Sequence, residues 1–184
     1  MPKAHRIISR GTTEKYAEAM TKLHDPGDCV LVVRGVPRTV VMVCPDGCGE
    51  NLTVNLDPRT GKAWRKYERN GKLTIYPSVW RDTGCRAHFI IWNDRILWCD
   101  TSDSASVTVD ETLIETVFNS LPTDNPIHFE MIAEPLKAIP WDVLWACKEL
   151  VRRGCALVEK QNTFRKIGNK YIPPTVSGRI NILA

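Results

Sequence analysis

The chain has 184 residues, of which 43% are hydrophobic and 25% are charged, and its formal net charge is +4. This length allows one ample core or two small ones. No segment approaches the roughly 20 consecutive apolar residues of a membrane span, and the N-terminus lacks the apolar stretch of a secretory signal. We therefore expect a cytoplasmic protein without membrane contact. In that reducing compartment the seven cysteines are better explained as metal ligands and buried thiols than as disulfides.

The N-terminal part is predicted to contain a short helix followed by β-strands. Apolar side chains at Tyr16, Met20 and Leu23 have helical spacing, which predicts an amphipathic helix over residues 12–24. Apolar or alternating runs then predict strands over residues 29–34, 39–43, 51–56, 63–69 and 72–76. The last two strands flank Asn70-Gly71, a strong hairpin signal.

Residues 76–80 are predicted to end this sheet. Pro77 has no N–H to give to a strand ladder, so the following residue, Ser78, is expected on a loop. From the residues alone, Ser78 is a loop serine that satisfies a nearby backbone group.

The segment 84–100 is predicted to form a β-hairpin that carries three potential metal ligands. Residues 93–94, Asn-Asp, lie between two apolar runs and suit a two-residue turn. The predicted pairs are Trp92 with Arg95, Ile91 with Ile96, Ile90 with Leu97, Phe89 with Trp98, and His88 with Cys99. Opposed residues hold their Cβ atoms about 4.5–5.5 Å apart, and Cys85 precedes the first strand. The hairpin therefore brings Cys85, His88 and Cys99 together.

Two further thiols come from Cys44-Pro-Asp-Gly-Cys48, whose spacing and turn residues are typical of zinc knuckles. The candidate ligands are Cys44, Cys48, Cys85, His88 and Cys99. A tetrahedral Zn²⁺ site takes four of these five donors. Either His88 or Cys99 is then not a metal ligand and is available for another role. Burial of the cysteines without any metal is the alternative.

The C-terminal part is predicted to be mainly helical. After a small, polar linker at 101–106, helices are predicted over 110–121, 127–136 and 141–153, followed by two short strands over 155–159 and 164–167. This order of elements is that of a winged helix. We therefore predict an α+β fold, with a β-rich metal-binding domain over residues 1–103 and a winged-helix-like domain over residues 104–184.

Nucleic acid is not the expected partner of the C-terminal domain. Its third helix is predicted to present Asp142, Lys148, Glu149 and Arg152, two acids and two bases. A helix that reads a DNA groove normally has a surplus of basic side chains. Contact with protein, or oligomerisation, is the better prediction.

Four motifs together resemble a zinc-motif bacterial domain family from operons for ubiquitin-like protein conjugation. The motifs are Cys44-Pro-x-Gly-Cys48, Tyr76-Pro77-Ser78, Cys85-x-x-His88-Phe89 and Ile96-Leu97-Trp98-Cys99. The match covers about residues 40 to 100. It implies that the chain handles a ubiquitin-like modifier, with that modifier and its conjugation enzymes as partners, and that it is either a peptidase or a non-catalytic zinc module.

The peptidase interpretation of the resemblance assigns a role to each motif residue. A structural zinc is then held by Cys44, Cys48, Cys85 and Cys99. This leaves His88 free as the general base for the nucleophile Ser78, with Asp100 or Asp82 orienting the imidazole. A variant in which zinc activates water directly is disfavoured, because catalytic zinc sites more usually use His and carboxylate ligands.

Two other functions compete with a peptidase. In the first, the zinc-stapled sheet and the neutral C-terminal domain form an interaction module that docks onto conjugation enzymes without any hydrolysis. The second is a nucleic-acid-binding regulator, whose affinity would fall steeply with salt.

Overall fold

The computed structural model describes residues 2–100, 106–173 and 180–181. It divides into two compact units, with the boundary between residues 103 and 104. The predicted linker lies almost wholly outside the described residues. The α+β class and the β-rich N-terminal part are confirmed. None of the described helices combines the length and the apolar character needed to cross a membrane.

The first sheet of the N-terminal unit has four strands, in the order β1-β2-β3-β4. They are β1 (Ile8–Thr13), β2 (Asp28–Arg34), β3 (Val36–Val43) and β4 (Asn51–Asn55). β1 runs parallel to β2, and the other neighbours are antiparallel. Helix α1 (Tyr16–Met20) lies against one face of this sheet, where Ala19 is fully buried.

Helix α1 is shorter than predicted, and strand β1 is absent from the prediction. The helix begins at Tyr16 because the residues up to Thr13 pair with β2. All residues of β1 except Thr13 are exposed, so the strand has no apolar pattern. It is held by backbone hydrogen bonds to a partner that lies distant in the sequence.

The second sheet also has four strands, all antiparallel, in the order β5-β6-β7-β8. They are β5 (Arg65–Arg69), β6 (Lys72–Trp80), β7 (His88–Trp92) and β8 (Arg95–Trp98). Both predicted hairpins are confirmed, and the pairs from Trp92–Arg95 to Phe89–Trp98 have the predicted register. Asn93 and Asp94 have the positive φ that the turn requires.

The two sheets pack face to face around one core. It contains Met42 and Val54 from the first sheet and Ile75, Phe89 and Ile91 from the second, all at most 1% exposed. Burial of each such side chain contributes about 1.5–3 kcal/mol. The hairpin β7-β8 is therefore anchored firmly from its inner face.

Strand β6 does not end at Pro77, so the prediction of a loop at Ser78 is wrong. The strand continues to Trp80, and its register against β7 shifts between the pairs Ile75–Ile91 and Val79–Phe89. Residues 76–78 stand opposite Ile90 alone in this bulge. A proline is tolerated there because no ladder hydrogen bond is needed from its nitrogen.

The described part of the C-terminal unit contains three helices, α2 (Glu111–Ser120), α3 (Phe129–Ala133) and α4 (Pro140–Arg152). Its described strands are β9 (Ser106–Val107), β10 (Ile127–His128), β11 (Ala156–Val158), β12 (Thr163–Lys166) and β13 (Ile180–Asn181). Asp110 caps α2 as predicted, since its carboxylate accepts the N–H of Leu113. Helix α3 is shorter than predicted, because residues 127–128 pair with β12 instead.

Helix α4 presents fewer charged side chains to solvent than predicted. Asp142 and Glu149 are each only 2% exposed. Glu149 accepts hydrogen bonds from both Arg152 and Arg153, at 2.6 to 2.7 Å. The helix is buried along nearly its whole length, so its acidic side chains lie in the protein interior and do not face solvent.

Asp28 is a fully buried carboxylate at the start of β2. One oxygen accepts the backbone N–H groups of His24 and Asp25 at 3.0 and 3.1 Å, and the other accepts Nε of Arg10 at 2.8 Å. Burial opposes ionisation, but these hydrogen bonds and the Arg10 charge outweigh it and lower the pKa of Asp28.

We expect Asp28→Asn to lower the free energy of unfolding at pH 7 by about 2 kcal/mol, because the amide places a donor against donors that need an acceptor. Asp25→Asn, at an exposed neighbour, is the control and should have no such effect. Since folding lowers the pKa of Asp28, the stability difference between the unmutated protein and Asp28→Asn is fully present above about pH 4, the ordinary aspartate value. This difference shrinks as the pH falls further. Urea unfolding at pH 7 and pH 3 measures it; a difference that grows in acid would contradict this account.

Candidate active site and metal centre

Ser78 and His88 lie within hydrogen-bond distance of each other. The distance from Ser78 Oγ to His88 Nε2 is 3.1 Å, within the reach that a nucleophile and its general base require. Both residues are half-buried. This contact joins neighbouring strands, β6 and β7.

The register of β6 against β7 explains why these side chains meet. Trp80 is paired directly with His88, so both side chains point to the same face of the sheet. Ser78 precedes Trp80 by two residues and therefore points to that face as well. Val79 and Phe89 form the next pair and point into the core, where they are 6% and 0% exposed.

Asp100 lies on the other side of the His88 imidazole. Its Oδ1 is 3.5 Å from His88 Nδ1, and its side chain is 68% exposed. Asp82, the alternative acid, has no contact with His88 among those of the described residues. The imidazole of His88 thus lies between the hydroxyl of Ser78 and the carboxylate of Asp100. Their catalytic assignment remains a prediction.

A separate cluster of thiols lies at one end of the same unit. Cys44, Cys48 and Cys85 have Sγ atoms that are all within 4.8 Å of one another, and Cys44 is 3.6 Å from Cys85. Cys44 follows β3 directly, and Cys85 lies in the loop before β7. The cluster is compatible with a bound metal ion.

Cys99, the fourth cysteine predicted for this site, lies outside the cluster of three. Its N–H donates to the carbonyl of His88 at 3.0 Å, so it stands opposite His88 as the hairpin predicts. Cys85 instead lies in the loop that precedes β7 and packs toward the core beside Cys44. Burial, with the negative charge of Asp100, raises the pKa of Cys99 to about 11.

The guanidinium of Arg81 lies against the thiol cluster. Its Nη1 is 3.2 Å from Cys85 Sγ and 3.5 Å from Cys48 Sγ, and its Nη2 pairs with Glu50. Burial opposes ionisation of Cys85, but hydrogen bonds from the Ala87 N–H, the other two thiols and Arg81 lower its pKa. Burial raises the pKa of Cys44 to about 12. Cys85 therefore ionises before Cys44.

The spacing of the thiols fits a thiolate-bound metal. Two thiolates on a tetrahedral zinc with bonds of about 2.3 Å lie about 3.8 Å apart, and the Cys44–Cys85 distance is 3.6 Å. Soft thiolate donors favour zinc over oxygen-loving cations. N–H···S hydrogen bonds from Arg81 resemble the outer-shell contacts that stabilise negatively charged thiolate ligands.

The Ser78–His88 pair does not line either of two cavities found elsewhere in the N-terminal unit. These cavities have volumes of about 430 and 240 Å³. The first lies beside Arg34 and Arg38, and the second beside Cys29 and Leu73. A site on an open sheet surface suits an extended chain better than a small molecule, which usually needs a concave pocket.

Comparison with protein-family models gives a match over residues 16–99, to the family described as "Bacterial ubiquitination-like system serine protease (BubE)". The matched range includes Ser78, His88 and all four predicted cysteine ligands, and it ends one residue before Asp100. This part of the chain is similar to serine proteases of bacterial ubiquitination-like systems. Comparisons with curated proteins and with solved structures give no match.

Sequence reasoning missed two residues that border the site, Arg81 and Trp80. Arg81 precedes Cys85 by four residues, so a basic residue near a thiol was the available signal. Trp80 has no sequence signal, because its importance depends on the register of β6 against β7.

The geometry predicts that the metal depends on the cluster of three thiols and not on Cys99. Cys48→Ser should lose most of the bound zinc, because it removes one of the converging donors, and its thermal stability should fall with the metal. Cys99→Ser, the matched control, should keep the zinc content of the unmutated protein. Elemental analysis under reducing conditions measures zinc per chain. Loss of zinc from Cys99→Ser would show that Cys99 is a ligand.

Proposed function

We propose that this protein is a cytoplasmic serine peptidase that processes or removes a bacterial ubiquitin-like modifier. The observation that carries the proposal is the distance of 3.1 Å between Ser78 Oγ and His88 Nε2, with Asp100 on the far side of the imidazole. The similarity of residues 16–99 to serine proteases of bacterial ubiquitination-like systems supports both the reaction and the pathway.

The proposed reaction has two stages. Asp100 accepts a hydrogen bond from His88 Nδ1–H, which leaves Nε2 free to take the proton of Ser78. Ser78 Oγ attacks the carbonyl carbon of the scissile peptide bond, and the C–N bond breaks as Nε2–H protonates the leaving amine. Water then attacks the acyl-enzyme ester with His88 as base, which releases the carboxylate product and restores the Ser78 hydroxyl.

In this proposal zinc has a structural role. Cys44, Cys48 and Cys85 would hold it. The resemblance implies Cys99 as a fourth ligand, but Cys99 lies outside the cluster of three, so this proposal does not depend on it. A bound zinc supplies a fixed link between the loop after β3 and the loop before β7. His88 follows Cys85 by three residues, so that link would restrict the start of the strand that carries the base.

We also propose that the C-terminal unit is a winged-helix-like domain that contacts the modifier or its conjugation enzymes. The order of three helices before the strands β11 and β12, and the sheet order β10-β12-β11, support this fold. Burial of α4, including Asp142 and Glu149, argues against insertion of that helix into a DNA groove.

Ser78→Ala should reduce hydrolysis by at least about a thousandfold, because it removes the nucleophile, while the fold and the zinc content stay unchanged. The substrate is a ubiquitin-like modifier from a bacterial conjugation operon, fused through its C-terminus to a reporter protein. Ser9→Ala, at an exposed serine of β1, is the control and should cleave normally. Undiminished cleavage by Ser78→Ala removes Ser78 from the mechanism. If the unmutated protein forms a stable complex with conjugation enzymes but never cleaves, the interaction module is the better account.

Asp100→Asn should lower kcat by about ten- to a hundredfold. This is less than the roughly 10⁴-fold loss at a buried triad aspartate, because Asp100 is 68% exposed and 3.5 Å from the imidazole. Asp82→Asn should keep kcat within about twofold of the unmutated protein, since no contact joins Asp82 to His88 in the described residues. Changes of this size are typical of surface substitutions away from a site. A larger loss in Asp82→Asn than in Asp100→Asn would transfer the orienting role to Asp82.

A further inference from the structure

Trp80 is an exposed aromatic residue next to the proposed catalytic pair. Its side chain is 67% exposed, and its indole centroid is 6.1 Å from the imidazole of His88. It shares a sheet face with Ser78, two residues earlier on β6. An aromatic surface of this size at the edge of a reactive site is available to contact whatever binds there.

The backbone of Trp80 lies at an open edge of the sheet. The Arg81 N–H donates to the Ala87 carbonyl at 2.9 Å, and the His88 carbonyl accepts from Cys99 on the opposite strand. Trp80 and His88 are therefore a pair without mutual backbone hydrogen bonds, and the N–H and C=O of Trp80 point away from β7.

On that side of β6, strand pairing stops before Trp80 is reached. The last pair between β5 and β6 is Arg65 with Tyr76. The carbonyl of Ser78 faces the same edge and accepts Nε1 of Trp64 at 3.2 Å. Within the described part of the chain, no strand continues β5 opposite Trp80. Among the described residues, the backbone N–H and C=O of Trp80 are thus left unpaired beside the proposed nucleophile. At Ser78 the indole of Trp64 occupies the edge.

We propose that Trp80 is the substrate-binding residue that positions an extended peptide for attack by Ser78. The substrate main chain adds antiparallel to β6 at the open edge and exchanges two hydrogen bonds with Trp80. This inference rests on the proposed peptidase and deepens it by naming the substrate class: an unfolded, extended segment rather than a folded loop.

The antiparallel direction identifies which substrate residue Trp80 contacts. The residue that carries the scissile carbonyl lies opposite Ser78, so the residue opposite Trp80 comes two positions earlier in the substrate. Opposed residues share a face, so the side chain of that earlier residue lies beside the indole. An apolar side chain there would bury apolar surface against Trp80. The site should therefore select an apolar residue two positions before the residue whose carbonyl is attacked.

The test uses acetylated tripeptide aldehydes, Ac-X-Gly-Gly-H, as competitors of a fluorophosphonate probe that labels active serine nucleophiles. With X as leucine, half-maximal protection of Ser78 should need about tenfold less aldehyde than with X as glycine, the effect of burying one aliphatic side chain. Trp80→Ala should remove this preference, and Trp80→Phe should keep most of it. Labelling without any aldehyde is measured for each of the three proteins and serves as the reference for its own protection by aldehyde.

Methylation of the peptide backbone tests the two hydrogen bonds separately from the indole. N-methylation of X removes the donor that faces Trp80 and should weaken protection at least about tenfold, a loss of the order of one buried hydrogen bond. N-methylation of the next glycine is the matched control and should be tolerated, because its N–H points away from β6.

The outcomes separate the two proposals. If the unmutated protein shows no labelling that Ser78→Ala abolishes, the peptidase fails and this inference fails with it. If Ser78 is labelled but leucine and glycine aldehydes protect equally, or if the two methylated peptides behave alike, the peptidase stands and the role of Trp80 is wrong.

Discussion

The site depends on the pairing of β6 with β7, and above all on the number of extra residues in its bulge. Three residues of β6, 76–78, stand opposite one residue of β7. Two extra residues preserve the alternation of side chains, whereas one extra residue would reverse it. Val79 therefore remains in the core, and Ser78, Trp80 and His88 share the opposite face. With a bulge of a different parity, Ser78 would point into the sandwich and could not reach the imidazole.

The sandwich holds this arrangement in place. Phe89 and Ile91 lie on the core face of β7, opposite the face that carries His88, and both are fully buried. A change in the position of β7 would therefore disrupt the core. The thiol cluster adds a second restraint at the start of β7, since Cys85 lies three residues before His88 and contacts Cys44, which directly follows β3 of the other sheet. Reactive side chains on strands are positioned more accurately than those on loops. In this protein Ser78 and His88 are both on strands.

Sequence reasoning succeeded where the signal was local. The two-residue turns at 70–71 and 93–94 determine the register of their hairpins, and that register alone places Cys99 opposite His88. Sequence reasoning failed where strand pairing joins segments that are distant in sequence, or where a bulge shifts the register of the pairing. Strand β1 has no apolar pattern, and the continuation of β6 beyond Pro77 depends on a bulge that no turn residue signals. Helical periodicity located α4 but did not show that Glu149 would be buried and would pair with two arginines.

The exposure of the site to solvent affects the strength of the interaction between His88 and Asp100. Asp100 is mostly exposed, and its distance of 3.5 Å from His88 is longer than a strong charge-assisted hydrogen bond. Water weakens such a pair by screening it. A substrate bound against Ser78 would displace water from the surface around this hydroxyl, which strengthens the electrostatic interactions of the bound state. Substrate binding and activation of the serine would then be coupled, because the chain that supplies the scissile bond also lowers the polarity around the groups that cleave it.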